Sequence, residues 1–102
     1  RHAASLIRAA VWRRDKGKCR ACGCLVKLWS DNPLILMHAH HVIYRSQGGS
    51  DEIENRLSLC PKDHDKEHRG FLIVSGEPNS TIFFQEIDTR GDVIDTWESS
   101  AL

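Results

Sequence analysis

The chain has 102 residues, 40% of them hydrophobic and 27% charged, and carries no formal net charge. A chain of this length fits a single domain that buries somewhat over ~60% of its unfolded surface. No apolar run approaches the length of a membrane helix and there is no signal-peptide pattern, which argues against a membrane partner or secretion and for an intracellular, cytoplasmic protein.

The first residue is Arg1 rather than Met, consistent with a piece of a longer protein or assembly carrying further domains. From about Ala3 to Asp15 apolar residues recur at helical spacing, with Leu6 above Ala10 and Ile7 above Val11, which predicts an amphipathic helix ending near Gly17. Zero net charge speaks against a dedicated nucleic-acid binder, since neutralising phosphates normally takes surplus Lys and Arg. The distribution speaks for one. Up to Leu28 there are eight basic residues (Arg1, Arg8, Arg13, Arg14, Lys16, Lys18, Arg20 and Lys27) against the single acid Asp15. From Phe71 onward six acids face only Arg90, so a neutral molecule can still present one basic face.

The run CRACGC, Cys19 to Cys24, has the small residues and tight spacing of a metal knuckle, and Ser30-Asp31-Asn32-Pro33 is turn chemistry. Leu34 to His41 reads as a strand ending in a histidine cluster. Ser46-Gln47-Gly48-Gly49-Ser50 opens a loop that runs to Asn55. Leu57-Ser58-Leu59 is a short second strand, and Pro61 is well placed as the first residue of a helix ending at Gly70. Beyond it, Phe71–Val74, Thr81–Asp88 and Asp92–Trp97 have the β-branched and aromatic content of strands, with Arg90-Gly91 as a turn.

Five of the six histidines lie between His38 and His68. On a helix starting at Pro61, His64 and His68 are four residues apart and share a face; adjacent His40 and His41 on a strand point to opposite sides. One of that pair can hold a metal while the other addresses substrate. Phosphodiester hydrolysis needs a base for water, a cation for the phosphoryl and leaving oxygens, and a group that orients the base. The segment offers a candidate for each. Four cysteines could make two disulfides in a secreted protein, but a CxxC with histidines close to the distant Cys60 reads better as metal binding in a reducing compartment.

In order and spacing, CRAC at Cys19–Cys22, the pair His40-His41, SQGGS, ENRLSLC ending at Cys60, and then His64 and His68 resemble the HNH endonucleases. The resemblance covers roughly Val11 to Gly70. It implies an α+β fold with a ββα-metal (His-Me finger) core, here with an N-terminal helix and a small C-terminal antiparallel β-sheet. Residues 1–102 would form one nuclease domain: a basic helix over 1–17, zinc knuckle and ββα core over 18–70, and C-terminal strands over 71–102.

Carried over position by position, the resemblance implies His41 as the general base that activates water, and His40 and His64 as ligands of a divalent metal. Asn55 would orient the base or help hold that metal. His68, one turn further, would be a third ligand or a phosphate contact. The metal (Mg, Mn, Co, Ni or Zn) would bridge the scissile phosphate of DNA and its leaving 3′ oxygen, leaving 5′ phosphates; imidazole ligands suit the transition metals better than Mg²⁺. Arg13, Arg14 and Arg45 are the candidate nucleic-acid contacts. A structural zinc would take Cys19, Cys22 and Cys60, with Asp63 where relatives have the fourth ligand and Cys24 or His38 as substitutes. Tyr44 stands where relatives often carry proline and is given no role.

Weighed alone, His38 reads as a packed or solvated histidine, and Trp12, Trp29 and Trp97 read as core and boundary residues rather than base-stacking platforms. A redox CxxC lacks its βαβ setting, and a peptidase lacks HExxH, since Asp65, Lys66 and Glu67 separate the helical histidines. The rivals to a nuclease are a non-catalytic, zinc-stapled nucleic-acid-binding module and a protein-interaction domain. The acidic C-terminal strands are expected to complete the core.

Overall fold

The computed structural model of the chain describes residues 2–101. Arg1, counted above among the basic residues, and Leu102 lie outside the described residues. The order of elements is α1 (His2–Arg14), β1 (His38–His41), β2 (Arg56–Leu59), α2 (Pro61–His68), β3 (Leu72–Gly76), β4 (Thr81–Ile87) and β5 (Val93–Ser100). Single 3-10 turns at Arg45–Gln47 and Ile53–Asn55 interrupt the loop between β1 and β2. β1 and β2 pair antiparallel, His40 opposite Leu57 and His41 opposite Arg56, and α2 follows directly. This is the expected ββα-metal core in an α+β fold. β3, β4 and β5 form a separate antiparallel sheet in that order. Among the described residues no helix is long and apolar enough to cross a membrane.

One core joins these parts. Val11 of α1, Val26 and Met37 of the knuckle region, Leu57 and Leu59 of β2, and Leu72, Ile82 and Phe84 of the C-terminal sheet are all buried together. Phe84 stacks on Trp97 at 5.4 Å between centroids, and Trp97 Nε1 donates to the Ala21 carbonyl, so the C-terminal sheet is stitched to the knuckle. The buried Arg20 extends the seam: it donates to Asp15, to the Pro78 carbonyl and to Ser99. The sheet completes the core, as expected.

Local chemistry sets the element ends. α1 closes on Lys16 and Gly17, both at positive φ (59° and 68°), with the Gly17 amide donating back to Trp12. Ile7 and Val11 face the core while Leu6 is exposed, so the apolar stripe is narrower than the spacing predicts. The first strand is shorter than predicted. Asn32 Oδ1 accepts the Leu34 amide in a local turn, Leu34 is 78% exposed, Leu36 makes only an isolated bridge with Lys27, and pairing with β2 begins at His38. Pro61 sits at the start of α2 behind Cys60, whose Sγ accepts the Asp63 amide as the N-cap.

Candidate active site and metal centres

β1 alternates, and the alternation sorts its histidines. His40 points inward and is 4% exposed; His41 points the other way and stays open to solvent. His64 and His68 rise from one face of α2 toward His40, and the ligand atoms of these three histidines all lie within 4.8 Å of one another. The Nε2 atoms of His64 and His68 are 3.0 Å apart. Burial, with the neighbouring His68 and His41, pushes His40 down to about 4; burial, with His38, His68 and His40, does the same to His64. Both rings are therefore neutral near pH 7, with lone pairs available to a cation. His40 Nε2 is buried without any hydrogen-bond partner, an expensive state for a polar atom that a metal ion would relieve. The donor set thus fits a divalent cation.

The cysteine cluster forms at the other end of α2. Asp63 Oδ2 lies 3.2 Å from Cys19 Sγ and 3.3 Å from Cys60 Sγ, and Cys22 Sγ is 3.9 Å from Cys60 Sγ. These four residues bring one ligand atom each to within 4.8 Å of the others. Burial pushes the Cys19 and Cys60 thiols up, and Cys24, at the rim beside Cys22 and Cys60, is pushed up to about 12. Three sulfurs and a carboxylate suit zinc, whose charge would reverse those shifts by taking the thiolates. Of the substitutes for the fourth position, His38 is elsewhere: it stacks on His64 at 4.4 Å, against the histidine cluster.

Asn55 touches neither His41 nor the histidine cluster. Its amide donates to the carbonyls of Ile43 and Ser50 and accepts from the Ile43 amide, and its own carbonyl accepts from Val42. It locks the chain leaving His41. Gly49 is required in the same loop, because a Cβ there would come within 1.8 Å of the Ile43 carbonyl oxygen. Of the three arginines expected to meet nucleic acid, Arg13 and Arg45 are exposed. Arg14 is not free. Its guanidinium is held by Asp15, the Ile53 and Arg56 carbonyls and Asn79, and only 11% of the side chain is exposed. It ties α1 to β2 and the β3–β4 turn instead.

Four residues without a predicted role join the site. Asp51 accepts a hydrogen bond from His41 Nε2 at 2.8 Å, and that bond, with Arg45 nearby, holds its carboxyl below the usual carboxylate range. It is the first acid after the histidine pair, the only hint the sequence offers. Arg56 lies opposite His41 in the β1–β2 register, hence on the same face, with its buried Nε unpartnered. Tyr44, assigned no role from sequence, stands edge-on to His40 and donates its hydroxyl to Glu67, which lies 3.6 Å from His40 Nε2.

Comparison with known proteins agrees with this architecture. The solved Modification dependent TagI restriction endonuclease is similar in fold, with a TM-score of 0.57 and 23% identity over 87% of this chain and 29% of that one. In sequence the chain is similar to the Type IV methyl-directed restriction enzyme EcoKMcrA of Escherichia coli (strain K12), 32% identical over 63 residues. It is also similar to Anaredoxin of Nostoc sp., 49% identical over 37 residues. These matches take in 62% and 36% of this chain but only 23% and 49% of the relatives' own lengths. The family model for the HNH endonuclease matches residues 19–70, from the first knuckle cysteine to the end of α2, and with just over half of its length matched the chain belongs to the HNH endonuclease family.

Proposed function

We propose that residues 1–102 act as one metal-dependent nuclease module that hydrolyses phosphodiester bonds in DNA. The observation that carries the reading is the division of β1: His40 joins His64 and His68 in a compact donor set while the adjacent His41 faces outward beside Arg56 and Arg45. DNA as substrate is supported by similarity to two restriction enzymes and by exposed Arg13 and Arg45.

In this reading His40, His64 and His68 hold the divalent cation, which when bound supplies positive charge for the phosphoryl and leaving oxygens. His41 takes the proton from the attacking water. With Nε2–H donating to Asp51, the neutral ring keeps its lone pair on Nδ1, and the carboxylate stabilises the imidazolium that forms. Asn55 and Gly49 fix the loop behind the base, so its direction is set before substrate arrives. Water adds to phosphorus, the bond to the 3′ oxygen breaks, that oxygen takes a proton from solvent, and the products carry 5′ phosphates and 3′ hydroxyls. Cys19, Cys22, Cys60 and Asp63 hold a structural zinc, and cysteines kept for a metal rather than for disulfides suit a reducing, intracellular setting.

Plasmid cleavage tests this reading. With Mn²⁺, Co²⁺, Ni²⁺, Zn²⁺ or Mg²⁺ supercoiled DNA should be nicked or linearised, and EDTA should stop it. A folded protein that binds DNA and cuts with none of these ions would sink the proposal in favour of a non-catalytic binding module.

A further inference from the structure

Beside the histidine cluster, against His40, stands an acid that the nuclease reading leaves idle. Glu67 follows His64 by three residues on α2 and so sits on the face turned toward β1. Its side chain is 11% exposed, against 4% for His40. Oε2 receives the Tyr44 hydroxyl and lies 3.6 Å from His40 Nε2, while Oε1 is buried with no partner. At 3.6 Å the contact between Oε2 and His40 Nε2 is too long for a hydrogen bond, so His40 Nε2 and Glu67 Oε1, a nitrogen and a carboxylate oxygen on neighbouring side chains, are both buried without a partner.

We propose that Glu67, anchored by Tyr44, is the anionic group of the metal centre, facing the cation together with His40. The inference rests on the metal-dependent reading above and deepens it. Three neutral imidazoles give a cation no charge compensation, whereas one buried carboxylate does, and it adds the oxygen donor that harder ions such as Mn²⁺ prefer. Tyr44 belongs to the same device: its hydroxyl occupies one carboxylate oxygen and leaves the other turned inward.

Mn²⁺ binding, followed by the EPR signal of the free ion, separates the possibilities in protein whose cysteine cluster has been loaded with one equivalent of zinc. Glu67→Gln should weaken Mn²⁺ binding tenfold or more, and Tyr44→Phe by a smaller factor in the same direction. His64→Ala should weaken it at least as much as Glu67→Gln, and His41→Ala should leave it unchanged. Binding by Glu67→Gln and Tyr44→Phe within twofold of the parent, with His64→Ala defective, overturns the role of Glu67 and leaves the metal centre standing. A parent that binds no Mn²⁺, or a His64→Ala variant that binds like the parent, removes the metal centre and this inference together. Should Glu67→Gln fail to fold, Tyr44→Phe decides alone, because Tyr44 lies at the exposed edge and loses only a hydroxyl.

Discussion

The two clusters on α2 are built from different parts of the same helix and differ in closure. At its N-terminus Cys60 is at once helix cap and cluster member, and with Cys19 and Asp63 it is buried between the knuckle and β2. Along its exposed side His64 and His68 meet only one buried partner on β1, His40, and His68 remains open to solvent. With three of its four donors buried, the cysteine cluster would leave little for substrate, whereas three histidines at a surface would leave room for a phosphate oxygen. In the proposed division, closure rather than ligand type alone sets the cluster that would hold the fold apart from the one that would work on a ligand.

The comparison breaks most visibly through stability. Cys60→Ser should cost on the order of 3 kcal/mol or more, by removing a buried metal-binding thiol and a helix cap together, and lower Tm by roughly 15 °C. His64→Ala should leave Tm within a few degrees of the parent. Thermal melts with zinc present check both; equal losses would mean that the clusters do not divide the labour. A subtler break is Asn55→Ala, which removes three hydrogen bonds from the loop behind His41. It should cost about 1–3 kcal/mol and slow cleavage by roughly ten- to a hundredfold, more than it weakens Mn²⁺ binding, since the loop aims His41 directly and reaches the cation only through Tyr44 and Glu67. Smallest is the contrast between two arginines. Arg45→Ala should flatten the salt dependence of DNA binding by about one unit of slope with Tm unchanged. Arg14→Ala should do the reverse, lowering Tm with the slope intact, because its guanidinium is engaged inside the protein.

Much of the site was legible because its logic is local. Strand alternation separates His40 from His41, and four-residue spacing aligns His64 with His68; both follow from backbone periodicity without tertiary information. Pro61, Gly17 and the Gly48-Gly49 loop mark boundaries for equally local reasons. What stayed hidden arises through space. Tyr44 and Glu67 are 23 residues apart, and only the packing of the β1–β2 loop against α2 brings them together. Asp51 finds His41 because the loop folds back, and Arg14 turns from phosphate candidate to scaffold because backbone carbonyls from β2 and its approach reach it. Charge counted along a sequence cannot tell a guanidinium that is free from one that is already satisfied.

In the proposed mechanism β1 gives His40 to a metal and His41 to the chemistry. Parent and His41→Ala should therefore be compared in plasmid cleavage at matched Mn²⁺ occupancy. Occupancy should be equal, with cleavage reduced by about 10²–10⁴-fold in the variant. Cleavage near the parent's rate, or loss of the ion along with the activity, would contradict it.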